Sequence, residues 1–165
     1  MPYFIIIRGP LGCGKTTVAQ KIAQKLNAKY FDIDEILDSH GLTTDIEDGY
    51  VSQKSFLRAN KIILPEAKDN LAKDTSVIFD GNFYWKSQID DLTEHLNFPH
   101  YVFTLQAPLE VCIERDKNRN TPHGEDATKA VHTKTTEFDY GTIIDATRPL
   151  EKIIEEIISH LPRVE

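Results

Sequence analysis

Gly9-Pro10-Leu11-Gly12-Cys13-Gly14-Lys15-Thr16-Thr17 places three glycines, a lysine and two hydroxyls where they could surround a polyphosphate. The spacing fits G-x-x-x-x-G-K-[ST]. Glycines let consecutive backbone N–H groups turn inward to one anion, because no Cβ blocks the turn. A helix starting near Lys15 would aim its positive dipole end at the same point. The candidate nucleotide-binding residues are therefore Gly9, Gly12, Cys13, Gly14, Lys15, Thr16 and Thr17. Lys15 should reach the β- and γ-phosphates of ATP and act in catalysis, and Thr16 offers its hydroxyl to Mg²⁺.

Other residue types suited to phosphate chemistry recur along the chain. Val77-Ile78-Phe79-Asp80 is an apolar run ending in an acid, as a strand that holds Mg²⁺ beside a phosphate-binding loop would be. Asp80 is a metal candidate; a helix cap or turn residue is the alternative. Asp32 and Asp34 end another apolar run and alternate with their neighbours, so they are expected on one side of an extended segment. Asp34 is the candidate catalytic base for an acceptor hydroxyl, and Asp32 a candidate for the metal's water shell. Arg115 and Arg119 lie one helical turn apart and could neutralise charge developing on a transferred phosphoryl group. Otherwise they form a solvated face with Glu114 and Asp116. Arg58 and Asn82 are candidates for acceptor binding, with a surface ion pair and a Gly81-Asn82 turn as alternatives. His123 and His132 lack ligand spacing and are expected on the surface.

The motifs need elements to hold them. Tyr3 to Ile7 is a β-branched and aromatic run, followed after the glycine loop by Val18, Ala19, Ile22, Ala23 and Leu26 at helical spacing. Strands are predicted at 29–34, 76–80, 100–105 and 140–145, with one helical turn at 35–38. Helices are predicted over 52–73, interrupted at Pro65, over 85–96, from Pro108 towards Arg119, and from Pro149 onward. Residues 40–50 are expected as loop. Residues 120–136 are polar and expected to be a mobile segment with a helical piece near 127–133. Five strands alternating with helices predict an α/β fold of three layers, α/β/α, around a five-stranded parallel sheet. The glycine loop, Asp32, Asp34, Asp80 and the residues after Ile144 all fall at the carboxyl ends of strands, where such sheets bind ligands.

The chain has 165 residues, two cysteines and a net charge of −7. One domain is expected over 1–165. The acidic balance disfavours long nucleic acid as a partner, and no aromatic-basic interleaving is present. No charged leader or long apolar run is seen, so neither secretion nor a membrane is expected, and a cytoplasmic monomer or homodimer is. Cys13 and Cys112 are expected as free thiols.

Taken together, the Gly9–Thr17 loop, Phe31-Asp32-Ile33-Asp34, Phe56-Leu57-Arg58, Arg115-Asp116-Lys117-Asn118-Arg119 and Ile144-Asp145-Ala146-Thr147-Arg148-Pro149 resemble the small P-loop kinases of the shikimate kinase, gluconate kinase and nucleoside monophosphate kinase group. The resemblance implies a P-loop NTPase fold like that of nucleoside monophosphate kinases, with a lid at roughly 116–136. It implies that the adenine of ATP lies between Arg115 and a loop containing Arg148 and Pro149. It also implies an acceptor contact by Arg58. Shikimate kinases carry a Gly-Gly-Gly stretch where this chain has Asp80-Gly81-Asn82-Phe83-Tyr84, so the acceptor does not carry over. The expected activity is transfer of the γ-phosphate of Mg-ATP to a small-molecule acceptor. The alternatives are a kinase for nucleoside monophosphates or nucleic-acid ends, and a nucleotide-binding switch or ATPase module.

Overall fold

The computed structural model describes residues 1–163. The strand before the glycine loop, β1 (Phe4–Arg8), lies at the centre of a five-stranded sheet. Its neighbours are β5 (Val77–Gly81) and β6 (His100–Gln106); β2 (Lys29–Asp32) and β7 (Thr142–Asp145) form the edges, and all pairings are parallel. Every residue of β1 is buried, as a strand covered on both faces requires. Period-two alternation divides it: Phe4 and Ile6 enter one core, Ile5 and Ile7 the other.

The first core packs under α2 (Ile33–Ser39), α3 (Gln53–Ala72) and α4 (Lys86–His95). The second packs under α1 (Lys15–Leu26), α5 (Leu109–Lys117) and α7 (Leu150–Ser159). An eleven-residue helix, α6 (Glu125–Thr135), follows α5. Among the described residues, no helix is long and apolar enough to cross a membrane.

Four local expectations change. Asp32 and Asp34 do not share an extended segment: β2 stops at Asp32, whose carboxylate accepts the N–H groups of Asp34 (3.0 Å) and Glu35 (3.3 Å) and so starts α2. The expected loop at 40–50 contains a hairpin, β3 (Ile46–Glu47) and β4 (Tyr50–Val51). Its turn is Asp48-Gly49, both at positive φ, which is the pairing that two-residue hairpins favour. The helix over 53–72 continues through Pro65, because Phe56, Ala59, Ile63, Ala67 and Leu71 bury one continuous stripe spanning it. Finally, α6 is docked rather than loose. The Tyr50 hydroxyl donates to the Ala130 carbonyl (2.9 Å), and Lys134 lies 3.8 Å from the centre of the Trp85 ring.

Arg8 ties these parts together. It is fully buried. Its Nε donates to the Phe83 carbonyl (3.1 Å), one Nη to the Thr104 hydroxyl (3.0 Å) and the other to the Thr135 carbonyl at the end of α6 (3.0 Å). The Phe138 ring covers the guanidinium at 4.4 Å. Burial pushes its pKa down to about 10, with the charge of Asp139 opposing the shift. Replacing Arg8 by Met would leave two carbonyls and a hydroxyl without their donor. We expect a loss of about 3 kcal/mol or more of unfolding free energy, read as a lower urea midpoint at unchanged slope.

The turn from β1 into α1 depends on two glycines for different reasons. Gly12 has φ +78, and a Cβ there would lie 2.3 Å from the Cys112 carbonyl oxygen of α5. Gly14 has φ +86 but no neighbour within 4 Å of a Cβ. Gly14→Ala should cost only left-handed backbone strain, about 1–2 kcal/mol. Gly12→Ala should cost clearly more, because backbone must also move. Urea melts of the nucleotide-free variants compare the two directly.

Candidate active site

The carboxyl ends of β1 and β2, the start of α1 and the end of α5 enclose a cavity of about 640 Å³. The glycine loop forms its floor through Leu11, Gly12, Gly14, Lys15, Thr16 and Thr17; Asp32, Asp34, Glu35 and Asp38 form one wall, and Arg115, Arg119 and His123 the other. Lys15 is buried and its Nζ donates to the Pro10 carbonyl (3.3 Å), which keeps the ammonium over the loop. Cys13 turns its thiol into the core, where burial pushes its pKa up. Its carbonyl accepts from Arg115 (3.4 Å), so the lid-proximal helix grips the loop.

Asp80 and Asp32 are register partners on adjacent strands, which brings two acids side by side next to Thr16. Asp80 is almost fully buried. One of its oxygens accepts from the Tyr30 hydroxyl at 2.6 Å; the other has no hydrogen-bond partner. Burial pushes the Asp80 pKa up, while Lys15, Tyr30 and Thr16 pull it down. Tyr30 is pushed up in turn, first by burial and then by Asp80. A buried carboxylate oxygen without a partner beside a threonine hydroxyl suits a hard cation. Thr16, Asp80 and Asp32 therefore fit Mg²⁺. No three His, Cys, Asp or Glu side chains among the described residues form a protein-only metal cage.

Asp34 sits in the first turn of α2 and lines the cavity opposite the arginines. Burial raises its pKa, helped by Asp32 and Asp38; the charges of Lys15 and His123 oppose the rise. The arrangement can hold a polyphosphate on the loop and a carboxylate acceptor for a proton beyond it.

Several expected residues lie elsewhere. Arg58 is exposed on α3 and does not line this cavity. Asn82 is buried with its side-chain oxygen unpartnered, also outside the cavity lining. Arg148 pairs with Glu156 of α7, and Pro149 occupies the N-cap of that helix; neither lines the cavity. His132, expected on the surface, contacts the Ala107 carbonyl through Nε2 (2.9 Å).

Residues that the sequence left unnoticed also appear. His123, expected on the surface, is exposed but lines the cavity, as do Glu35 and Asp38. Tyr30 could have been found by alternation, since it lies two residues before Asp32 on the same strand face. No local signal marked His123. A second cavity, of about 660 Å³ and mostly apolar, lies between β6, β7 and α6 and shares only Pro10 with the glycine loop.

Comparison with known proteins follows the same lines. A family model described as an AAA domain matches residues 4–138. Shikimate kinase 2 of Escherichia coli is 30% identical, over 97% of this chain and 95% of its own length. Among solved structures, a sugar kinase from Janibacter sp. HTCC2649 superposes with a TM-score of 0.79 at 18% identity, covering 96% of this chain and 94% of that one. A gluconokinase from Sinorhizobium meliloti 1021 superposes with a TM-score of 0.69 at 19% identity, covering 96% and 90%. The glycine loop, the parallel sheet that carries it and these likenesses agree, and the chain belongs to the AAA-domain family of P-loop kinases, in its shikimate kinase-like group.

Proposed function

We propose that this P-loop kinase transfers the γ-phosphoryl group of Mg-ATP to a hydroxyl of a small polyhydroxylated molecule, with Asp34 as the base. The observation that carries the reading is Asp34 facing the same cavity as Lys15, close enough for the lysine's charge to act on its carboxyl. In this reading the loop amides and Lys15 hold the β- and γ-phosphates. Thr16, Asp80 and Asp32 hold Mg²⁺, which neutralises phosphate charge when bound. Arg115 and Arg119 offset charge building on the transferred group, with the exposed stretch 117–124 as the outer part of a lid over roughly 116–136. Asp34 orients the acceptor hydroxyl and takes its proton as the oxygen bonds to phosphorus.

The relatives, named as kinases of shikimate, of gluconate and of a sugar, support this choice of acceptor class. Two buried free thiols, Cys13 and Cys112, fit a reducing cytoplasm.

ADP release from Mg-ATP should rise strongly with one member of a panel of sugars, sugar acids and cyclic polyols, and little with nucleoside monophosphates. A response to nucleotides alone would move the assignment to that class. Asp34→Asn should lower kcat by about 10²–10⁴ while leaving ATP affinity nearly unchanged. Because burial raises the Asp34 pKa, its carboxylate is lost as pH falls through a value above the usual carboxylate range. The wild-type rate should therefore have an acid limb displaced upward from that range. A rate independent of pH down to 4 would remove Asp34 from the role of base.

A further inference from the structure

We propose that His123 is a third phosphate-directed group of this site, donating an imidazole N–H to the γ-phosphoryl group, and that Asp116 is the residue that positions it. The inference rests on the kinase reading for its chemistry, although its first test does not need an acceptor.

Asp116 lies on α5 between Arg115 and Arg119. It is buried among exposed neighbours. Its two carboxylate oxygens accept the backbone N–H groups of His123 (3.0 Å) and Gly124 (2.9 Å). Burial raises the pKa of this carboxyl, but those two hydrogen bonds, with the charges of His123 and Arg119, outweigh it and hold it below the usual range. It therefore stays ionised at neutral pH as a bidentate acceptor.

The consequence is geometric. The chain leaves α5 at Lys117, runs exposed through Pro122, and is pulled back to α5 at His123. That return brings the imidazole to the cavity that holds Lys15, Arg115, Arg119 and Asp34. α6 starts at the next residue but one and is anchored at its far end by Arg8, so the return point is fixed from both sides.

Position within the cavity assigns the ligand atom. Arg115 is committed to the Cys13 carbonyl on the loop floor. His123 instead lines the same cavity within electrostatic reach of Asp34, the group that in the kinase reading meets the acceptor hydroxyl beside the terminal phosphorus. A donor there meets the terminal phosphoryl group rather than the α- or β-phosphate. An imidazole needs no negative partner to donate, and the wall it faces already carries Asp32, Asp34, Glu35 and Asp38.

Calorimetry with Mg-ADP and with Mg-AMPPNP, a non-hydrolysable ATP analogue, separates the terminal phosphoryl from the rest. In His123→Ala the affinity for Mg-AMPPNP should fall about tenfold, one hydrogen bond to a charged group, while that for Mg-ADP stays within about twofold. His123→Gln keeps an N–H donor and should recover part of the loss. Equal affinities in wild type and His123→Ala would overturn the proposal, as would an equal loss for both nucleotides. Asp116→Asn should reproduce the selective loss, and adding it to His123→Ala should cost nothing further. Additive losses would overturn the positioning role. Failure of wild type to phosphorylate any acceptor would count against the kinase reading, and the nucleotide comparison would still decide the fate of His123.

Discussion

A charged guanidinium buried beneath the glycine loop organises this molecule. Arg8 ends the central strand one residue before the glycine loop begins, and among the described residues no carboxylate hydrogen-bonds to it. Its charge is instead distributed over two carbonyls, a hydroxyl and an aromatic face. Leaving such a group unpaired would be costly, so each acceptor must stay where it is. The acceptors come from the loop after β5, from β6 and from the end of α6. One side chain thus holds β1, the loop after β5, β6 and the end of α6 in a single arrangement. The Thr104 hydroxyl extends the link to the Tyr140 carbonyl (2.7 Å), just before the edge strand β7.

Above that clamp the site is organised by opposed charge. The loop and α5 supply cations; β2, α2 and β5 supply acids. The net charge of −7 would repel a polyphosphate if spread evenly. The cations are instead gathered at one place, with Lys15, Arg115 and Arg119 all lining the cavity over the glycine loop. The acids are unequal in turn. Asp80 is buried and bound to Tyr30, Asp34 is desolvated and opposite Lys15, and Asp32 spends one oxygen capping α2. Asp32 and Asp34, which line the cavity, and Asp80, buried beside Asp32, are thereby given three environments, which is what division of labour among chemically identical groups requires.

Legibility in the sequence tracked the range of the interactions involved. The glycine loop and the strand carrying Asp80 are local patterns that the fold contains, while α5 ends at Lys117, so Arg119 lines the cavity from beyond the helix that carries Arg115. The β2 boundary was misjudged because alternation and capping compete over the same four residues, and the Asp32 carboxylate settles the contest for the helix. The hairpin had a signal, Asp48-Gly49, but its strands are too short to show a period. Arg8 was invisible as a clamp because its partners lie 75, 96 and 127 residues away. His123 reaches the cavity only through a turn back to Asp116, and Arg58 misses the cavity although its spacing in sequence suited it. In both cases tertiary placement, not residue type, decides.

The inward turn of Cys13 has a thermodynamic meaning. Leu11 and Cys13 are buried, Lys15 is tied to Pro10, and Gly12 packs against the backbone of α5. The loop is therefore ordered by the core of the protein and not by its ligand. Conformational entropy that a flexible glycine-rich segment would surrender on capturing a phosphate has already been surrendered during folding. Nucleotide affinity can then reflect the contacts themselves, with little subtracted for ordering the loop that makes them.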